Sequence, residues 1–192
     1  MHAPRRKVLM IAIDASAMPL IDQWMADGTL PHLKALVKQG AYGPMASTAQ
    51  WLAGSPWPSF YTGSLPPEHG FMFHLQWRPE LMRHCRPQPD WLPMTPFYRR
   101  FGDYGKRTVA VDVPITYEVP ANDDFNGVEV TSWSGHDKIG RTTAFPRSLM
   151  KEIARRWGRQ PLILEAGGLQ TPAELLRLRA ELLQSVARQT AL

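Results

Sequence analysis

Near its beginning the chain reads Lys7-Val8-Leu9-Met10-Ile11-Ala12-Ile13-Asp14. Six consecutive apolar residues that end at a carboxylate are typical of a strand buried on both faces of a parallel sheet. In open α/β sheets, ligands bind beyond the carboxyl ends of the strands. This stretch therefore predicts a parallel strand over residues 8–13 and puts Asp14 at the functional edge of the sheet.

The rest of the chain alternates between amphipathic and apolar segments. Helical patterns cover residues 20–28, 31–40, 55–61, 97–104 and 148–157, and a last helix begins near residue 171. Further apolar runs predict strands over residues 42–48, 108–113 and 127–133. Such alternation predicts the α/β class, with a mostly parallel sheet flanked by helices, in a single domain over residues 1–192.

A hydroxyl stands at the start of the helix predicted over residues 55–61. Pro56 suits the first turn of a helix, which leaves Ser55 near the N-cap. Free backbone N–H groups and the positive end of the helix dipole favour a phosphate there. Ser55 is therefore the candidate nucleophile.

Several short motifs occur in a fixed order along the chain. They cover residues 8–14, 20–24, 28–33, 40–44, 47–48, 57–63 and 67–70, with weaker likeness at 105–107, 112–117, 126–128 and 135–137. This ordered series resembles the type I phosphodiesterase and nucleotide pyrophosphatase branch of the alkaline phosphatase superfamily.

The resemblance implies an alkaline-phosphatase-like core that hydrolyses phosphate esters. Family members use two divalent metal ions, usually zinc, and a serine or threonine that forms a covalent phospho-enzyme. Asp14 matches the position of the family's first metal ligand. Two metals about 4 Å apart activate the nucleophilic oxygen and screen the phosphoryl oxygens, which explains the need for such ligands.

The chain departs from the family pattern at the nucleophile. Aligned without gaps from Thr62-Gly63, the family's nucleophile falls on Ala53, which has no hydroxyl. Either a local shift brings Ser55 into place, or the protein is a catalytically silent homologue. Family members also carry about as much sequence again, with most of the aspartate and histidine ligands. The chain is therefore expected to be an N-terminal half with an incomplete core, inactive alone.

The last helix offers a different function. Thr171 and Glu174 match a capping box around Pro172, and an apolar stripe follows at Leu175, Leu178, Leu182 and Val186. The stripe predicts an interaction module that binds a missing C-terminal half or a second copy of the chain.

Composition limits the other partners. The net charge of +5 reflects 22 basic and 17 acidic residues, which we interpret as a solvated surface rather than a nucleic-acid site. No apolar run is long enough to span a membrane, and Cys85 is the only cysteine. We expect a phosphate-ester substrate, no nucleic acid, no membrane and a cytoplasmic location.

Two further segments are candidate functional elements. His69 in Pro67-Glu68-His69-Gly70 could contact metal or phosphate, but we favour an imidazole that hydrogen-bonds the turn after the helix. The proline-rich residues 79–96 are unusually long for a connector, which suggests an ordered and functional loop.

Overall fold

The computed structural model describes residues 7–14, 16–52, 54–73, 75–88, 91, 94–117, 125–133, 141–158 and 170–191. These divide into two compact units, residues 1–46 and 47–192, and each is described by itself. The single domain expected over residues 1–192 stays a prediction. No helix among the described residues is long and apolar enough to cross a membrane.

The first unit contains two helices, both of which the sequence predicted. Helix α1 spans Met18–Asp27 and ends at Gly28, whose φ of 89° is readily adopted by glycine. Helix α2 spans Pro31–Gln39, with the fixed φ of Pro31 in its first turn. The hydroxyl of Tyr42 donates to Asp22 Oδ1 at 2.6 Å, which ties the chain after α2 back to α1.

The strand predicted over residues 8–13 is wrong for this structure. These residues form no strand, and Val8 and Leu9 are 89% and 84% exposed. An extended segment becomes a strand only when a neighbour accepts and donates its backbone hydrogen bonds. The described part of the first unit contains no strand that could do so. The strand predicted over residues 42–48 is also wrong, since a 3₁₀ turn at Thr48–Gln50 follows an extended stretch.

The second unit carries the remaining helices. They are α3 at Pro56–Thr62, α4 at Pro66–His69, α5 at Leu149–Trp157 and α6 at Pro172–Ala191. The capping box of α6 is confirmed, because the Glu174 N–H donates to Thr171 Oγ1 at 3.3 Å and the Thr171 N–H donates to Glu174 Oε2 at 2.7 Å. The helix predicted over residues 97–104 is a shorter 3₁₀ segment, Arg99–Tyr104, which ends at Gly105.

Two small sheets form in this unit. Strands β1, Gln76–Arg78, and β2, Arg83–Cys85, make an antiparallel hairpin. Strands β3, Thr108–Val111, β4, Gly127–Thr131, and β5, Thr143–Phe145, lie in the order β3-β4-β5. Strand β4 is parallel to β3 and antiparallel to β5. The fold is mixed α/β, and the mostly parallel sheet is not confirmed.

Side chains alternate between the two faces of a strand, and both faces of β4 are covered by other residues. On one face Val130 packs with Trp133, Ala144 and Ile153, and residues of α5 close that cluster. On the other face Glu129 lies beside its β3 partner Ala110, which packs with Tyr61 and Tyr98. The sheet therefore separates two small cores, and β4 belongs to both.

A buried ion pair occupies the second of these faces. Arg99 Nε donates to Glu129 Oε2 at 2.7 Å and Arg99 Nη2 donates to Glu129 Oε1 at 3.0 Å. Tyr98 OH donates to Glu129 Oε1 at 2.8 Å, and Arg99 Nη2 also donates to the Tyr117 carbonyl at 2.6 Å. The two charged side chains are only 8% and 2% exposed. A two-pronged, fully partnered pair of this kind is strong and geometrically specific.

Replacing Glu129 with glutamine is expected to destabilise the fold by roughly 3–5 kcal/mol, because Arg99 would keep a buried charge without its counter-ion. Urea unfolding followed by circular dichroism measures the change. The control is Glu181→Gln, which removes the half-buried partner of the exposed Arg177 and should cost at most about 1 kcal/mol. Equal losses in the two variants would contradict the assigned role of the buried pair.

Candidate functional site

Ser55 lies where the sequence predicted, at the N-cap of α3. Pro56 is the first residue of the helix, and the Ser59 N–H donates to the Ser55 carbonyl at 2.9 Å. The Ser55 side chain does not cap the helix. It is fully buried, and Oγ lies 2.7 Å from both Thr48 Oγ1 and the Leu52 carbonyl oxygen. The hydroxyl is thus held against the preceding turn.

Thr48 is the partner that sequence reasoning missed. It begins the 3₁₀ turn that precedes α3 and is itself buried at 8% exposure. The only signal was the Ser47-Thr48 motif, which gave no indication of a contact with Ser55. The two hydroxyls form a buried pair that links the turn to the start of α3.

Neither partner of Ser55 is a base at neutral pH. A threonine hydroxyl and a backbone carbonyl accept a hydrogen bond but do not remove a proton. A serine becomes a strong nucleophile only when a base, a metal ion or a lowered pKa activates it. In this conformation Ser55 is therefore neither exposed nor activated by the groups that it contacts.

The last turn of α3 is fixed to the loop after β3. Tyr61 is fully buried, and its hydroxyl donates to the Ile115 carbonyl at 2.7 Å. The Phe97 N–H in turn donates to the Tyr61 carbonyl at 2.8 Å. Burial raises the pKa of Tyr61 above its ordinary range, with a smaller contribution from Tyr117. The phenol therefore remains protonated and keeps donating this bond.

Ser59 and His69 form a pair that looks like a nucleophile and its base. Ser59 Oγ lies 3.0 Å from His69 Nε2, but the Phe71 N–H donates to His69 Nδ1 at 3.0 Å. A neutral imidazole that accepts at Nδ1 carries its proton on Nε2 and donates it to Ser59. His69 therefore does not accept the Ser59 proton. The structural role predicted for His69, holding the turn after the helix, is confirmed.

The carboxyl ends of β3 and β4 are joined by hydrogen bonds of Asp112. Asp112 and Ser132 follow these strands with φ of 54° and 51°, and Ile115 has φ of 59°. Asp112 Oδ1 accepts from the Trp133 N–H at 2.9 Å, and the Asp112 N–H donates to the Val130 carbonyl at 2.8 Å. Non-glycine residues in this region are strained and persist where surrounding contacts fix them. Asp112 thus joins the two strand ends.

An open cavity of about 820 Å³ lies beside the end of α3. Its described lining residues are Thr62, Ser64, Glu68, Met94, Thr95, Arg99, Arg100 and Asp103. Arg99 is already paired with Glu129, and Arg100 lies 3.9 Å from Asp103, so the described lining has no surplus positive charge to attract a phosphate. Neither Ser55 nor Ser59 is among these residues, so this cavity does not contain a candidate nucleophile.

Asp14 belongs to the first unit, where it is exposed at the end of the extended segment. Ser55 belongs to the second unit. Ala53, His136 and Asp137 lie outside the described residues. The residues that the structure describes contain no group of three or more His, Cys, Asp or Glu side chains that could hold a metal ion. They do not by themselves fit a two-metal centre, which needs several such ligands.

A family model described as type I phosphodiesterase / nucleotide pyrophosphatase matches residues 8–173. No curated protein and no solved structure matches the chain. Since the matched region covers most of the 192 residues, the chain belongs to this family. The resemblance seen in the sequence is confirmed.

The assigned state of His69 predicts how stability depends on pH. Burial lowers the pKa of His69 below its usual value of 6.5, against a smaller opposite effect of Glu68. His69 therefore binds a proton more readily in the unfolded chain than in the folded protein. The stability contributed by the neutral imidazole is present above about pH 7 and is lost as the pH falls. Asparagine keeps an acceptor for the Phe71 N–H but does not titrate.

The free energy of unfolding in urea should therefore fall more steeply between about pH 7.5 and pH 5.5 in the original chain than in His69→Asn. Glu181→Gln, which removes a carboxylate from the surface of α6, serves as the comparison for general acid effects. The same slope in the original chain and His69→Asn would refute the assignment of a neutral buried imidazole.

Proposed function

We propose that the chain takes part in the hydrolysis of phosphate esters through a phosphoserine at Ser55, with Asp14 as a metal ligand. The single observation that supports this is the family match over residues 8–173. Ser55 at the N-cap of α3 is the hydroxyl that follows closely after Ala53, the position at which the alignment expects a nucleophile. Asp14 is the carboxylate that matches the first ligand.

The proposed reaction has two displacement steps. Ser55 Oγ attacks phosphorus, the bond from phosphorus to the leaving oxygen breaks, and the alcohol departs with a proton. Water then attacks the phosphoserine, which releases the phosphate product and restores the Ser55 hydroxyl. A diester yields a monoester in this scheme, and a monoester yields inorganic phosphate.

The contacts of Ser55 define what such a reaction requires. Its hydroxyl must leave Thr48 and Leu52 to become accessible, and neither of those groups takes its proton. Activation must therefore come from outside these contacts, as it does in enzymes in which divalent metals lower the pKa of a bound oxygen. We propose that Asp14 contributes one ligand, and that the other ligands lie outside the described residues. Two zinc ions are the proposed cofactor, and the chain alone is proposed to be inactive.

The burial of Ser55 also favours a second candidate function. A side chain that is fully buried and bonded to its own turn stabilises that turn without any chemistry. In this alternative the protein is a silent homologue that binds a phosphate ester without cleaving it. The alanine at position 53, where the family has its nucleophilic hydroxyl, also favours a silent homologue.

Trapping with a radiolabelled aryl phosphate separates the two candidates. With zinc and any partner polypeptide that confers turnover, we expect the label on a peptide that contains Ser55, and none in Ser55→Ala. Asp14→Asn should keep the fold but bind zinc more weakly in equilibrium dialysis, because it loses the ligand charge. Ser59→Ala is the matched control on the same helix.

Several outcomes would count against the proposal. A label on Thr48 or Ser59 would exclude Ser55 as the acceptor while leaving the family chemistry intact. Unchanged zinc binding in Asp14→Asn would exclude the metal ligand. Turnover without any labelled peptide would exclude the covalent route. Clear turnover by the isolated chain would contradict the proposal that the chain alone is inactive, because its own residues would then hold the metal ions needed for hydrolysis.

The exposed side of α6 supports a separate proposal about partners. Leu176 and Leu183 are 69% and 58% exposed, and Val186 is 58% exposed. Ser185 is buried and Leu178 of the predicted stripe is half-buried, so that side of α6 is covered, whereas the side that carries Leu176 and Leu183 is exposed. Apolar patches of this kind mark interaction surfaces. We assign this one to a second copy of the chain or to a complementary half.

Self-association through α6 should appear as concentration-dependent elution from a sizing column. The double variant Leu176→Lys with Leu183→Lys places two charges on the exposed side and should elute as a monomer at every concentration. Arg177→Lys with Arg179→Lys substitutes two exposed positions of the same helix without adding charge and should behave like the original chain. A monomer in the original chain would exclude a second copy as the partner of this surface.

A further inference from the structure

The β1–β2 hairpin carries a charge arrangement that the fold itself does not explain. It lies in and next to the proline-rich segment that the sequence identified as an ordered loop. In the register of the hairpin, Arg78 stands directly opposite Arg83. Like charges directly opposite each other across an antiparallel pair are destabilising.

The two arginines differ in how their charges are compensated. Arg78 forms a salt bridge with Glu80, and its guanidinium lies 4.1 Å from the centre of the Trp91 ring. Arg83 is exposed and takes part in no salt bridge within the described part of the chain. The charge of Arg78 is therefore compensated by Glu80, whereas Arg83 has no acidic partner among the described residues.

The Arg83 guanidinium borders a second cavity of about 440 Å³. Its described lining residues are Leu81, Arg83, His84, Cys85, Arg86, Gln88 and Trp91. They include two arginines, an imidazole and a large aromatic ring, and none of them is acidic. A guanidinium presents a planar fork of donors that matches an oxyanion, and an indole offers a flat apolar surface.

The turn of the hairpin is built in a way that fixes this arrangement. A 3₁₀ turn at Pro79–Leu81 is followed by Met82, whose φ is 49°. A non-glycine residue in this conformation is unfavourable unless its surroundings hold it. The turn sets the register that places Arg78 opposite Arg83. Trp77 and His84, whose ring centres lie 5.3 Å apart, support the same register.

We propose that the hairpin cavity is a binding site for a small oxyanion attached to a planar aromatic group. Arg83 binds the oxyanion, and Trp91 contacts the ring. The site is distinct from the proposed phosphoserine at Ser55, and it does not depend on hydrolysis.

Phenylphosphonate is a suitable probe because its carbon–phosphorus bond is not an ester and is not cleaved by phosphate-ester hydrolysis. Isothermal titration of the full chain at low salt should show binding of phenylphosphonate about tenfold tighter than that of methylphosphonate, which lacks the ring. Benzyl alcohol, which lacks the charge, should not bind measurably. No binding of phenylphosphonate at millimolar concentrations would overturn the proposal.

Substitutions then test the residues. Arg83→Gln should weaken phenylphosphonate binding at least tenfold while leaving thermal stability unchanged, because Arg83 is exposed and takes part in no salt bridge among the described residues. Trp91→Leu should weaken phenylphosphonate and leave methylphosphonate unchanged. Arg107→Gln, an exposed arginine outside the cavity, is the matched control and should bind as the original chain does.

Two results would reject the site. Equal weakening by Arg83→Gln and Arg107→Gln would mean that only net charge attracts the anion. Unchanged affinity in Arg83→Gln would mean that the hairpin is not the binding element. Ser55→Ala should leave phenylphosphonate affinity unchanged, so the outcome is independent of the function proposed for Ser55.

Discussion

The buried pair of Arg99 and Glu129 is the constraint on which the second unit depends. Glu129 sits on the strand that contributes to both cores, and a carboxylate there is tolerated only because three donors surround it. Those donors come from the segment that begins the 3₁₀ turn, and Arg99 also reaches the Tyr117 carbonyl. One carboxylate therefore fixes the position of the strand, the turn and the loop after β3. Burial and the charge of Glu129 also raise the pKa of Tyr98, which keeps that donor protonated.

That framework positions the hydroxyls near α3 but also occupies them. Tyr61 attaches α3 to the loop after β3, so the helix start cannot shift freely. Ser55 contacts its own turn, and Ser59 receives a hydrogen bond from His69. A hydroxyl in either place is well ordered yet lacks a base. A nucleophilic role for Ser55 or Ser59 would require the hydroxyl to leave these contacts and a base or metal ion to activate it, whereas binding alone would require neither.

Local patterns in the sequence predicted local structure well. Prolines, glycines and the Thr171–Glu174 box determine helix ends through their own backbone or side-chain chemistry, and the observed ends follow them. The strand over residues 8–13 failed because an apolar run indicates burial but cannot say which strand will pair with it. The ion pair of Arg99 and Glu129 joins residues 30 positions apart, and no single segment indicates such a contact. The contact between Ser55 and Thr48 and the β1–β2 hairpin are local, but the sequence patterns did not predict them. The assignment to a family came from the order of motifs rather than from any one of them.

The exposed segment over residues 8–13 has a consequence for the behaviour of the chain in crowded solution. Six apolar residues with high strand propensity and no proline are the composition that stacks into cross-β assemblies. The segment is bounded by Arg5-Arg6-Lys7 on one side and by Asp14 on the other. Charges at such borders act as gatekeepers, because stacking identical chains would bring like charges within about 5 Å of each other. A charge at the position of Asp14 would therefore oppose the stacking of this segment between copies of the chain, whatever else the residue does.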